Sequence, residues 1–178
     1  MNKALRCIAR QKGFVVKELP TGLIPGKNYP VTLNDMNSVP LTSTPRVYLV
    51  AGQTIRIYPW HPDVPDEQYR VQALSYTYAF TMKAAGKEDE LLRFEWRREP
   101  DPSNPYPRGH LHVGPGLLGT PTVIRPGDFH KAHIPTKRLS FEAIVRFAIT
   151  ELNVRPQQSA WETTLDASEA AFEEHKTD

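Results

Sequence analysis

Four of the six histidines in this sequence, His110, His112, His130 and His133, fall close together, and they carry its clearest chemical potential. The first two lie one residue apart in "PRGHLHVG" (107–114), a short apolar run flanked by glycines. Neutral imidazole binds transition metals, and imidazole titrating near neutrality moves protons. Both uses are open to this pattern. H-x-H with the later H-x-x-H forms a set that suits zinc, with Asp128 or Glu95 as an oxygen donor. A metal-free pair could instead act on a phosphodiester, one imidazole taking the proton of the attacking hydroxyl while the other protonates the leaving oxygen. Arg93, Arg97 and Arg108 are close in sequence, and the planar guanidinium fork fits phosphate. Glu95 could orient one histidine or serve as the base.

Three known H-x-H chemistries fail at a required residue. A histidine-triad nucleotide hydrolase needs a third histidine where Gly114 stands. A cupin metal site needs a glutamate soon after the pair, and "VGPGLLG" has no carboxylate. A two-histidine phosphoesterase needs two separated H-x-[ST] motifs, and the sequence does not hold two.

The elements around the pair fix which way it points. "YRVQALSYTYAFTMKA" (69–84) alternates strictly, with Leu74, Tyr76, Tyr78, Phe80 and Met82 on one face and small residues on the other. "LLRFEWRR" puts Leu92, Phe94 and Trp96 on one side and Arg93, Glu95 and Arg97 on the other. In "HLHV", Leu111 and Val113 oppose His110 and His112. "RVYLVAGQTIRIYPW" reads as a hairpin, Val47–Val50 and Thr54–Tyr58 around a glycine-bearing turn. "LSFEAIVRFAITELNV" predicts the best helix, over 140–153, capped by Ser140 and ended by Arg155-Pro156. A shorter amphipathic helix follows, with Trp161, Leu165 and Phe172 as contacts. The fold expected is α+β: an antiparallel meander with C-terminal helices packed on one face. Burying the apolar side then forces Arg93, Glu95, His110 and His112 together onto the opposite, solvent-accessible face.

The bulk properties set the frame. A chain of 178 residues with ordinary apolar and charged content suits one domain with a core. The expected division is an extended, irregular arm over 1–45, the α+β core over 46–153 and a helical extension over 154–178. Residues 3–19 could also form a short basic helix followed by a strand. Seventeen prolines imply much loop, including residues 114–138 with a short extended piece at 122–124. One cysteine, Cys7, excludes an internal disulfide and reads as a buried hydrophobe in a reducing compartment. A formal charge of +2 gives no global footprint for nucleic acid. No apolar run is long enough for a membrane span, and no secretory leader is evident, so a cytoplasmic protein is expected.

The order of strand 69–82, "LLRFEW" (91–96), "GHLHV" (109–113) and "HIPTKRLSFEAIVRF" (133–147) resembles the TumE-type toxin family of bacterial toxin–antitoxin systems. The resemblance implies a growth-inhibiting protein acting on RNA, neutralised by a cognate antitoxin encoded beside it. Arg93, Glu95, His110 and His112 are the positions carried over. The leading expectation is thus metal-independent, ribonuclease-like cleavage of RNA, with His110, His112 and Glu95 catalytic, Arg93, Arg97 and Arg108 binding substrate, and no cofactor. One alternative is a non-enzymatic protein-interaction module of a small bacterial operon, using helix 140–153, the tail helix and Trp161. Another is a metal-dependent hydrolase holding zinc with His110, His112, His130 and His133.

Overall fold

The computed structural model describes residues 1–9, 13–16, 24–43, 46–59, 69–84, 86–103, 106–114 and 133–174. Among them eight strands form one antiparallel sheet: β1 (Phe14–Val16), β2 (Asn28–Leu33), β3 (Val39–Pro40), β4 (Val47–Pro59), β5 (Tyr69–Ala84), β6 (Lys87–Arg97), β7 (Gly109–Val113) and β8 (His133–Pro135). Their order is β1-β2-β4-β5-β6-β7-β8, with β3 paired to β4. The α-helices among the described residues are α1 (Asn2–Leu5), α2 (Phe141–Glu151) and α3 (Trp161–Glu174). This is the α+β arrangement that the alternation and the C-terminal amphipathic segments predict.

The core follows from the pleat. Tyr76, Tyr78 and Phe80 of β5, Leu92, Phe94 and Trp96 of β6 and Val113 of β7 share one face and pack with Phe141, Ile144, Val145 and Ala148 of α2. Ser140 caps α2 by accepting the Ala143 amide at 3.0 Å. The helix ends at Glu151, short of the proline, because Asn153 turns left-handed at φ 53°. On α3, Leu165 is fully buried, whereas Trp161 and Phe172 are half-buried. None of the helices among the described residues is long and apolar enough to cross a membrane.

Residues 1–45, expected as an irregular arm, contribute α1, β1, β2 and β3 to the same body. Leu5, Ile8 and Leu33 are fully buried, because the wide sheet leaves apolar surface that the two C-terminal helices do not cover. Cys7 is buried and free, as a small hydrophobe would be.

The hairpin expected around Gly52 does not form. β4 runs unbroken from Val47 to Pro59 and pairs along its whole length with β5. Gly52 is there for space instead: a Cβ at this position would lie 2.5 Å from Met36 Sδ. Met36 reaches that point from a turn in which Asn34, Asp35 and Met36 have φ of 48°, 55° and 64°. A left-handed conformation costs an ordinary L residue roughly 1–2 kcal/mol.

Two irregularities adjust the predicted faces. Leu74 is skipped in the β4–β5 ladder, where Thr54 pairs Ser75 and Ile55 pairs Ala73. Beyond this bulge Ala73, not Leu74, packs against the core, so the strict alternation read from the sequence fails at its N-terminal end. Leu91 is skipped likewise between the pairs Phe80–Leu92 and Thr81–Glu90. Glu90 thereby comes onto the same face as Arg93.

Candidate functional site

The site occupies the face of β6, β7 and β8 turned away from the helices. Register places Glu95 opposite His110 and Arg93 opposite His112. The next strand was not foreseen: "HIP" forms β8, and His133 pairs with His112. Its period-two spacing, His133 and Pro135 about Ile134, was a signal hidden inside a segment read as loop. β7 is held close at its end, where a Cβ on Gly114 would fall on the Glu90 carbonyl.

Three imidazoles and one carboxylate converge. Ring centroids of His110 and His112 lie 4.8 Å apart, of His110 and His133 4.9 Å, and of His112 and His133 4.3 Å. One ligand atom from each histidine can be chosen with all three within 4.8 Å of one another. Glu95 Oε2 stands 3.2 Å from His110 Nε2 and 3.1 Å from His112 Nε2. His110 Nδ1 is 2.8 Å from the Pro107 carbonyl, which only accepts, so this nitrogen carries the proton. His133 Nδ1 is buried with no hydrogen-bond partner among the described residues.

These contacts set a proton-counting problem. With Nδ1–H of His110 donating to Pro107, Nε2 bears a proton only if the ring is imidazolium. A neutral His110 turns a bare lone pair toward a carboxylate lone pair at 3.2 Å. Two lone pairs at that distance need a cation between or beside them. A zinc ion binds imidazole nitrogen and carboxylate oxygen at about 2.0–2.2 Å, which sets tetrahedral ligand atoms about 3.3–3.6 Å apart. The two separations on Glu95 Oε2 lie just below that range, so a small opening of the groups would admit the ion.

Electrostatics favours the ligand form of Glu95, His112 and His133. Burial works against ionisation of Glu95, yet Arg93, then His112 and His110, outweigh it and hold the carboxyl below its usual range. Burial pushes the His112 pKa down, and Arg93 and His133 add to this against the pull of Glu95. His133 is also lowered, by burial first and then by His110, with Glu95 opposing. Neutral imidazole beside ionised carboxylate is the state that accepts a metal.

The same shifts predict acid lability of the metal-free protein. In the folded state His112 and His133 lie below the ordinary histidine value of 6.5. The unfolded chain therefore takes up protons first as pH falls through 6.5, and stability declines. Glu95 acts in the same direction, its contribution present above 4.5 and lost as pH drops through its lower folded value. Urea midpoints followed from neutral pH into acid should fall monotonically. Glu95→Gln should flatten the lower limb, and a midpoint that rises on acidification contradicts the assignment.

The expected solvent-accessible face is realised only in part. His110, His112, Arg93 and Glu95 share the side opposite Phe94 and Trp96, but His110 and His112 are each only 7% exposed. Tyr106, absent from the sequence reading, lies over His133 with centroids 3.3 Å apart, and Pro107 closes on His110. A cleft of about 150 Å³ opens between them, with Arg97, Asp101 and Arg108 at its rim. Arg97 pairs with Asp101 at 3.1 Å, while Arg108 is exposed with no ion pair among the described residues. Arg93 stands outside the cleft, Nη1 at 3.6 Å from Glu95 Oε1 and Nε at 3.5 Å from Glu90. His130, Asp128 and the piece at 122–124 lie outside the described residues. No protein-family model matches the sequence, and no curated protein or solved structure matches it either.

Proposed function

We propose that this protein is a divalent-metal-dependent hydrolase of phosphate esters, its ion held by His110, His112, His133 and Glu95. The observation that carries the reading is the convergence of two imidazole Nε2 atoms on one carboxylate oxygen, with the other nitrogen of His110 already committed to Pro107. The Pro107 carbonyl is the kind of outer partner that fixes the tautomer of a ligating histidine. A zinc ion held there supplies Lewis acidity and a bound water of lowered pKa. Arg97 and Arg108 at the cleft rim offer forked donors to a phosphoryl group.

Metal-independent catalysis by His110 and His112, the leading expectation from sequence, is less well supported. It needs one imidazole free to accept a proton and the other free to give one. Both rings are nearly inaccessible and share a single oxygen. The likeness to TumE-type toxins still makes RNA the first polymer to test.

The test uses metal-stripped protein, reloaded with zinc or manganese, on p-nitrophenyl phosphate, bis(p-nitrophenyl) phosphate and total bacterial RNA. Hydrolysis by reloaded protein only, abolished by EDTA and absent from the His110→Ala/His112→Ala variant, is the expected result. Cleavage of RNA that ignores EDTA returns the site to acid–base catalysis. Zinc uptake without hydrolysis of any of the three substrates overturns the hydrolase assignment.

A further inference from the structure

Cross-strand register carries the site beyond the histidines. Thr32, Gly52, Thr77, Glu95 and His110 are successive partners on β2, β4, β5, β6 and β7, one row across the sheet. A second row joins Pro30, Thr54, Ser75 and Arg97. Strands lie about 4.8 Å apart, so Gly52 is about 10 Å from Glu95 along the row and Thr32 about 14 Å. A depression of about 190 Å³ occupies this stretch, floored by Thr32, Gly52, Thr54, Ser75 and Thr77 and bounded by Met36. The ring of Tyr76 is turned to the opposite face, stacked on Tyr78 and Trp96.

The floor is polar yet unsatisfied. Among the described residues none of the hydroxyls of Thr32, Thr54, Ser75 and Thr77 has a hydrogen-bond partner in the protein. Thr32 Oγ1 is fully buried without one, in a residue only 9% exposed. Buried hydroxyls normally find a partner, and one that does not calls for a ligand or water. Each hydroxyl both donates and accepts, so closely spaced hydroxyls of a ligand are their best complement. Met36, whose Sδ lies over Gly52, closes the far end.

We infer that this depression is the binding site for the hydroxylated part of a small sugar or polyol phosphate. Its phosphate lies over the histidine centre, within reach of Arg97, and its alcohol groups meet Thr77, Ser75 and Thr54. The inference rests on the phosphate-ester reading above for the phosphate end only. The hydroxyl floor adds the substrate class: a compact polyol rather than a polymer, because Met36 blocks continuation of the row.

Ribose 5-phosphate and inorganic phosphate, each titrated by calorimetry into zinc-loaded protein, provide the test, with the Met36 and threonine methyl resonances followed by NMR. Ribose 5-phosphate should bind about tenfold or more tighter than phosphate, the yield of one or two added hydrogen bonds. It should also shift the methyls of Met36, Thr54 and Thr77, which phosphate leaves in place. Thr54→Val/Ser75→Ala should erase the difference and leave phosphate affinity unchanged; Thr54→Val alone, nearly isosteric, should erase part of it if the double variant folds poorly. Equal affinities, unmoved methyls or an undiminished difference in the variants overturn the inference while leaving the metal reading standing. Failure to take up zinc, with methyl shifts on ribose 5-phosphate retained, sinks the metal reading and keeps the polyol site. An oligoribonucleotide that moves the same methyls at lower concentration than ribose 5-phosphate overturns the compact-substrate conclusion.

Discussion

His112→Ala should abolish the retention of zinc. His112 contacts both other histidines, 4.3 Å from the His133 ring centroid and 4.8 Å from that of His110, and its Nε2 shares Glu95 Oε2 with His110. Removing it takes away a nitrogen donor and one of the groups that keep Glu95 ionised. Losing a group that merely supports a ligand costs roughly 10–100-fold in metal affinity, and losing a ligand should cost more. The readout is zinc content after gel filtration together with thermal unfolding. A metal present at about 100 times its Kd adds about 2.7 kcal/mol of stability, which raises Tm by about 5–10 °C in a chain of this size. The wild type should show that rise and the variant none, while their metal-free urea midpoints stay close. An equal rise in both would exclude His112 as a ligand.

Phe80→Ala should be the most damaging single truncation in the core. Phe80 is fully buried, pairs with Leu49 on one side and Leu92 on the other, and packs on Phe147 of α2 with centroids 6.1 Å apart. Removing a buried phenylalanine side chain costs about 3–5 kcal/mol in lost transfer and cavity energy. That is a large share of the roughly 5–15 kcal/mol that holds a domain together, and it lowers Tm by about 10 °C or more. The effect should differ in kind from that of His112→Ala. Phe80 lies on the opposite face from the histidines, so the folded variant should still take up zinc, and zinc should restore part of the lost stability. A loss below about 1 kcal/mol would show that the sheet and helices collapse around the gap.

How much of this was legible in the sequence depends on which interactions decided each part. Alternation along β5, β6 and β7 is a local property, because successive side chains of a strand point to opposite faces whatever it pairs with. It placed Phe94 and Trp96 in the core and put Glu95, Arg93, His110 and His112 together. The helix from Phe141 was equally legible, since its cap and apolar stripe lie within the segment itself. The break at Gly52 was misread because a glycine between two β-branched runs looks alike whether it turns the chain or makes room for a distant Met36. Leu74 is placed by pattern on an even pleat, and only pairing with β4 decides where the ladder skips a residue.

The site itself divides in the same way. Its residue types and shared face were set by the sequence alone. Tertiary structure decided that His133 enters through β8, that Tyr106 and Pro107 enclose a face expected to be open, and that Glu95 stands between two imidazoles. Those outcomes depend on contacts between segments far apart along the chain, whose distances no local periodicity encodes.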